Sequence, residues 1–204
     1  MTVVRVALGA SAIALGALAL GLAHDVRAWD RALADGDAQF AQTARAARWT
    51  PGTWLPGDPA ARLTGLEDDV LLREAERAFV VASGAPLGFD NGRRRAQLRV
   101  QAELALSEVI ATGTPVQASR AGNLTGILAG TPGSGDVVAS EQAAAEAFDA
   151  AIRADGANTA AKFNLELLLR RIRVVGSREG AGGGSGDLGD ALAGAGSGRP
   201  GSGY

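Results

Sequence analysis

Polar and apolar positions divide this 204-residue chain into three unlike stretches. The first is an uncharged run of eighteen residues, Val6 to Ala23 (VALGASAIALGALALGLA). As a helix rising about 1.5 Å per residue it reaches about 27 Å, close to the roughly 30 Å core of a bilayer. Val3 and Val4 lengthen the run, and Arg5 can snorkel toward headgroups. With no polar face, it reads as a membrane segment rather than a core helix. Gly21-Leu22-Ala23 has the small-x-small spelling of a signal-peptidase site, which keeps a cleaved signal open as an alternative. Against cleavage, the run is longer than an ordinary signal core, and no breaker interrupts residues 24–34. The favoured reading is an uncleaved, single-pass anchor over residues 1–24 that enters the membrane through residues 3–23. Trp29 then falls at interface depth, as an aromatic-belt residue, with His24 snorkelling at the edge. Arg5 precedes the span while Arg27 and Arg31 follow it, so charge barely orients it; the signal-like start tips the body outside the cytoplasm.

The second stretch, residues 25–175, repeats its apolar positions every three to four residues and predicts an all-α body. A helix is expected from about Asp25 to Arg48, weakened at Asp35-Gly36-Asp37. The segment WTPGTWLPGDPAA then breaks it with three prolines and two glycines. Asp58-Pro59 has the form of an N-cap with proline at the first helical position, so a helix restarts there. Leu66 to Ser83 carries a stripe of Leu66, Val70, Leu71, Ala75, Ala78 and Phe79, ended by Gly84. After GAPLGFDNG, the helix Arg93–Thr112 turns Leu98, Ala102, Ala105, Leu106, Val109 and Ile110 to one side. Thr114-Pro115 caps the next helix, which runs to about Gly130. TPGSGD leads to Val137–Asp155, closed by Gly156, and Thr159–Val175 follows. Helices separated by short turns are antiparallel hairpins, here stacked in one domain.

The third stretch, residues 176–204 (GSREGAGGGSGDLGDALAGAGSGRPGSGY), offers too little apolar surface to offset an ordering cost of roughly 1–2 kcal/mol per residue. It reads as a disordered Gly-rich tail, whose terminal Tyr204 is the one residue a partner could grip.

Composition narrows the chemistry. There is no cysteine, hence no disulfide, thiolate nucleophile or zinc-finger set, and a single histidine leaves little for a His-based site. A net charge of −2 supplies no global field for nucleic acid.

An internal repeat runs through the last helices. QASRAGNLTGIL and TAAKFNLELLL share a small-residue start, an Asn-Leu pair and an apolar turn, with Asn123-Leu124 and Asn164-Leu165 lying 41 residues apart. SEQAAAEAFDAAIRADGANTAAKFNLELLL resembles the tetratricopeptide repeat (TPR), a helix–turn–helix unit of about 34 residues. Ala144, Phe148 and Ala151 match its second helix; Ala161, Phe163, Asn164, Leu165 and Leu169 match the next first helix. The small alanines allow close helix approach, and Phe148 fills the gap between neighbours. Departures are Gly156 at the turn proline, Lys162 at the large aromatic and Glu166 at the packing glycine, so the last helix should be a solvent-facing cap. The repeat-packing set is therefore Ala144, Phe148, Ala151, Asn164 and Leu165. The resemblance implies a concave face that binds an extended segment or a helix of another protein, with a partner groove at Phe163, Leu167, Arg170 and Arg171. The overall layout, with Phe89-Asp90-Asn91-Gly92, Ala161–Leu168 and the Gly-rich end, also resembles membrane-anchored accessory proteins encoded beside MoxR-type ATPases and von Willebrand factor A-domain proteins.

Other constellations have plainer readings. Gly130–Gly135 lacks the Gly-Lys-Ser/Thr ending of a phosphate loop. Glu67-Asp68-Asp69 opens a helix, where the macrodipole favours negative charge; Asp35 and Asp37 lack the rest of a calcium loop. Arg93-Arg94-Arg95 with Arg99 forms a solvated basic face or meets an acidic partner or lipid headgroups, while Arg170, Arg171 and Arg173 suit a last helical turn. Asn123-Leu124-Thr125 spells a glycosylation sequon but falls inside packed helices. No catalytic, cofactor-binding or metal site is expected, no cofactor, and no nucleic-acid or small-molecule ligand. The expectation is a membrane-anchored adaptor or scaffold for membrane-associated protein partners. Its alternatives are a small envelope enzyme using Glu67, Asp68 or Asp69, and a non-binding spacer.

Overall fold

The computed structural model describes residues 2–84, 92–131 and 136–182, with side chains among them from 9 to 174. The described residues form seven helices and no strand: α1 (Thr2–Gln42), α2 (Pro59–Thr64), α3 (Leu66–Ser83), α4 (Gly92–Thr112), α5 (Pro115–Ala129), α6 (Val137–Ala154) and α7 (Thr159–Gly182). Phe89–Asn91, Pro132–Gly135 and the tail from 183 to Tyr204 lie outside the described residues.

The apolar run becomes the first half of α1, a helix of 41 residues and about 60 Å. It is long and apolar enough to cross a membrane. Every residue from 9 to 20 is exposed. The second half is covered by the chain that follows. Asp35-Gly36-Asp37, expected as a weak point, does not interrupt the helix; Gly36 is buried, and residues 44–46 form the turn after Gln42. The missing Cβ serves a tertiary contact here. A Cβ on Gly36 would sit 2.4 Å from the Trp49 ring, so the indole lies directly on the helix backbone.

Asp58 caps α2 as its sequence predicts, accepting from the Ala61 N–H, and Gly65 at φ 71° separates α2 from α3. Ala60 and Ala61 pack on Trp29, with Leu22, Val26, Leu66 and Val70 around them. Trp29 is 5% exposed and its Nε1 donates to Asp58 Oδ1 at 2.9 Å. This corrects the reading of Trp29 as an aromatic-belt residue: it belongs to the body core, because α2 folds back to cover it.

The main core joins α3 (Leu72, Ala75, Ala82), α4 (Ala102, Leu106, Val109) and α5 (Ala121, Leu128). Leu71, Ala78 and Phe79 of the expected α3 stripe pack at its margin; Leu72, outside that stripe, is buried, and Ile110 on α4 is 44% exposed. Thr114 and Gln117 form a reciprocal capping box at the start of α5. Each helix from α2 onward touches the next, and α3 also touches α5, as α5 touches α7. The body is thus a layered stack of two hairpins, α3–α4 and α5–α6, closed by α7. That last helix continues past Val175 to Gly182, so residues 176–182 extend it rather than beginning the tail.

Candidate functional site

Close approach dominates the α5–α6 contact. A Cβ on Gly122 would meet Ala151 at 3.2 Å, and one on Gly126 would meet the Phe148 ring at 2.5 Å. Ala144, Phe148 and Ala151 are all buried, and Phe148 lies with Leu168 of α7 and half-buried Leu165 in one cluster. Polar groups inside this layer are matched. Ser119 Oγ donates to the Ala151 carbonyl at 2.7 Å and accepts from Asn158 Nδ2 at 2.8 Å, while Asn158 Oδ1 caps α7 by accepting from the Ala161 N–H. The two repeat-equivalent asparagines touch: Asn164 Nδ2 donates to Asn123 Oδ1 at 2.8 Å. Asn123 is buried by that contact, as the packed reading of the sequon expects.

The four residues expected in a partner groove lie on α7, and none of them lines either cavity described below. Phe163 is 64% and Leu167 57% exposed, and with Arg170 and Val174 they follow one another at helical spacing. Arg171 points to the side, toward α6, where its Nε pairs with Glu141 Oε1 at 3.3 Å; Arg170 pairs within α7 with Glu166. Among the described residues the arrangement is an open helix face. Its origin is visible in the repeat. The 41-residue shift that brings Asn123 onto Asn164 carries Gly122 and Gly126 onto Phe163 and Leu167. In α5 those two positions receive α6. In α7 the same face carries large apolar side chains and no following helix among the described residues.

A second feature joins α1 to the body. Asp37 accepts from Trp49 Nε1 at 2.8 Å and from Arg73 Nε at 3.0 Å and Nη2 at 3.3 Å. The Arg73 guanidinium, more than burial opposes it and with help from Trp49, holds the Asp37 carboxyl below its usual range; the same pairing raises Arg73. Asp25, fully buried, accepts from the amides of Trp54 at 2.8 Å and Leu55 at 3.0 Å. The Trp54 amide leads the groups that keep its carboxyl low, over the opposing effect of burial; Leu55 and His24 add to it.

Between α1, Trp49 and the faces of α3 and α5 lies a cavity of about 390 Å³, lined by Phe40, Asp69, Arg73, Glu76 and Arg120 among others. A smaller one of about 210 Å³ lies between α3 and α4 near Arg45, Arg77 and Gln101. Of the acidic triplet only Asp69 reaches the larger cavity, and it accepts from Gln117 Nε2 at 3.0 Å. Glu67 turns to Arg62 at 3.5 Å. The triplet is therefore split between roles. Among the described residues no group of three or more His, Asp or Glu side chains is placed to hold a metal.

Acid should test the Asp37 clamp. Its carboxyl ionises more readily folded than unfolded, so its stabilising effect is complete above about pH 4 and is lost as pH falls through the lower folded value. Trp49 emission should report an acid step below about pH 4, and Asp37→Asn should remove that step; an unchanged acid profile in the variant would place the transition elsewhere.

No protein family, curated protein or solved structure matches this chain.

Proposed function

We propose that this chain is a membrane-tethered, TPR-like adaptor with no catalytic role of its own. The observation that carries the reading is the open face of α7. Phe163 and Leu167 stand where α5 accepts α6, so the missing neighbour is a helix. A partner protein would supply an amphipathic helix that seats apolar side chains on Phe163, Leu167 and Val174, with acidic residues near Arg170. Exposed apolar surface of this kind, rimmed by charge, is the usual mark of an interaction site. The alternation of contacts through α3, α5 and α7 supports the repeat reading. Exposure of residues 9–20 supports α1 as a span rather than a core helix; the reading takes that span as uncleaved and the body as outside the cytoplasm. The resemblance to accessory proteins beside MoxR-type ATPases fits a membrane-associated partner.

The test is co-purification from membranes with the full chain as bait. Phe163→Asp with Leu167→Asp should reduce recovery of the partner at least about tenfold, since central apolar anchors carry most of an interface's energy. Val100→Asp, on an exposed part of α4, should leave recovery unchanged. Equal loss in both variants, or in neither, would reject the α7 site. Arg171→Ala should weaken binding less than Arg170→Ala, because Arg171 turns off this face to Glu141 on α6, whereas Arg170 stays on it with its partner Glu166 in the same helix.

A further inference from the structure

Trp54 is 71% exposed, an unusual state for the largest apolar side chain. Its surroundings locate it along α1. The ring stacks on His24, with centroids 3.8 Å apart, and His24 is the first residue after the apolar run. The next residue, Leu55, lies against Gly21, where a Cβ would approach Leu55 Cδ2 to 3.2 Å. The tip of this loop is therefore level with the last turn of the apolar run. Residues 50–57 (TPGTWLPG) contain no charged side chain.

Backbone polarity is managed as an apolar boundary requires. Hydrocarbon supplies no water for N–H groups, so a loop lying next to it gains from satisfying them within the protein. The Trp54 and Leu55 amides both donate to Asp25, whose carboxylate is completely shielded by the loop. Trp29 Nε1 is bonded to Asp58 and Trp49 Nε1 to Asp37, both turned inward, whereas Trp54 is exposed. A tryptophan with one face on protein and its remaining surface level with the end of a span suits the headgroup region.

We propose that the 53–57 loop is a membrane-docking element, with Trp54 seated in the headgroup layer of the phospholipid bilayer that α1 spans. Trp54 takes the interfacial place that its position in sequence would have assigned to Trp29. The body then lies against the membrane, held at α1 itself and, through Asp25, at the loop. This inference rests on α1 being an uncleaved span but not on the adaptor reading.

The full chain reconstituted in phosphatidylcholine vesicles provides the test, using tryptophan emission with lipids brominated near the headgroup end or near the terminus of the acyl chain. Shallow bromines should quench more strongly than deep ones. Trp54→Phe should abolish that quenching while far-UV circular dichroism stays unchanged, because Trp29 and Trp49 are 5% and 1% exposed. Asp25→Ala, which frees the loop amides, should weaken the shallow quenching with Trp54 still present. Aqueous acrylamide quenching Trp54 while bromolipids do not would overturn the proposal. Failure of the chain to float with vesicles would overturn both the span and the docking; flotation without shallow quenching would overturn the docking alone.

Discussion

Phe148→Ala is expected to lower the stability of the helical body by about 3–5 kcal/mol, the range for removing a large side chain from a packed core. The ring is 4% exposed and sits between the backbone of α5 at Gly126 and Leu168 of α7, so its loss opens space on two sides. Gly126→Val attacks the same contact from the other side. Its Cβ would fall within 2.5 Å of the ring, and relief requires moving α5 from α6 or forcing Phe148 off its rotamer, at about 1–3 kcal/mol. The double variant discriminates between this account and general damage. A valine at Gly126 can enter the space left by the ring, so the combined loss should be smaller than the sum of the single losses. Urea unfolding of the full chain in detergent, followed at the helical circular-dichroism band, gives all three values. Strict additivity would show that the ring does not oppose Gly126. Because α7 shares the cluster through Leu168, Phe148→Ala should also loosen α7 and weaken partner recovery, even though Phe148 itself is buried.

The Phe148 layer was legible in the sequence because its determinants are local and periodic. Ala144, Phe148 and Ala151 recur at helical spacing; the equivalence of Asn123 and Asn164 was visible as a 41-residue shift, and the bond between them came only with the structure. The Thr114–Gln117 cap is similarly spelled in four consecutive residues. What escaped the sequence depends on partners far along the chain. Trp29 looked interfacial by its distance from the apolar run; its burial depends on Asp58 and Ala60, about thirty residues on. Gly36 between two aspartates has every local mark of a weak helix, and nothing nearby reveals that Trp49 needs the bare backbone. Leu72 is buried although the α3 stripe passed beside it, because α3 is covered from two directions, by α4 and by α5. Phe163 and Leu167 are exposed together on α7, where the family pattern suggested a groove. Only the Gly122–Ala151 and Gly126–Phe148 contacts identify that face as the one a following helix would cover. The uncharged 50–57 segment was the available signal for Trp54, and it needed the Asp25 contacts to place it level with the end of the apolar run.

Gly36→Val is the second substitution with a large expected effect, and it addresses how α1 is joined to the body. The added Cβ would lie 2.4 Å from Trp49 Cδ1, 2.6 Å from its Nε1 and 2.7 Å from the Arg48 carbonyl oxygen. The backbone oxygen cannot rotate aside, and Trp49 is 1% exposed with Phe40 tilted against it. Trp49 must therefore leave α1, and its bond to Asp37 goes with it. Overpacking of this kind costs about 1–3 kcal/mol, to which the loss of the indole contact with α1 adds. Valine also disfavours helix less than glycine does, so α1 itself should remain helical and the effect should be confined to docking. Expected results are a red shift of Trp49 emission, acrylamide access to it and proteolytic cleavage within residues 43–52, with the helical content of α5–α7 retained. Arg73 keeps its charge partner in this variant, which separates it from Asp37→Asn: the acid step should survive in Gly36→Val, though without a Trp49 signal, and must then be read from proteolysis. Should Trp49 stay shielded in Gly36→Val, the indole would have to rest on another part of the body, and α1 would be attached through Asp25, Trp29 and the Asp37–Arg73 pair. The Trp54 quenching experiment repeated in Gly36→Val then measures the two attachments independently, since the Asp25 clamp lies three turns away along α1 and should hold the loop tip at the membrane after Trp49 has been released.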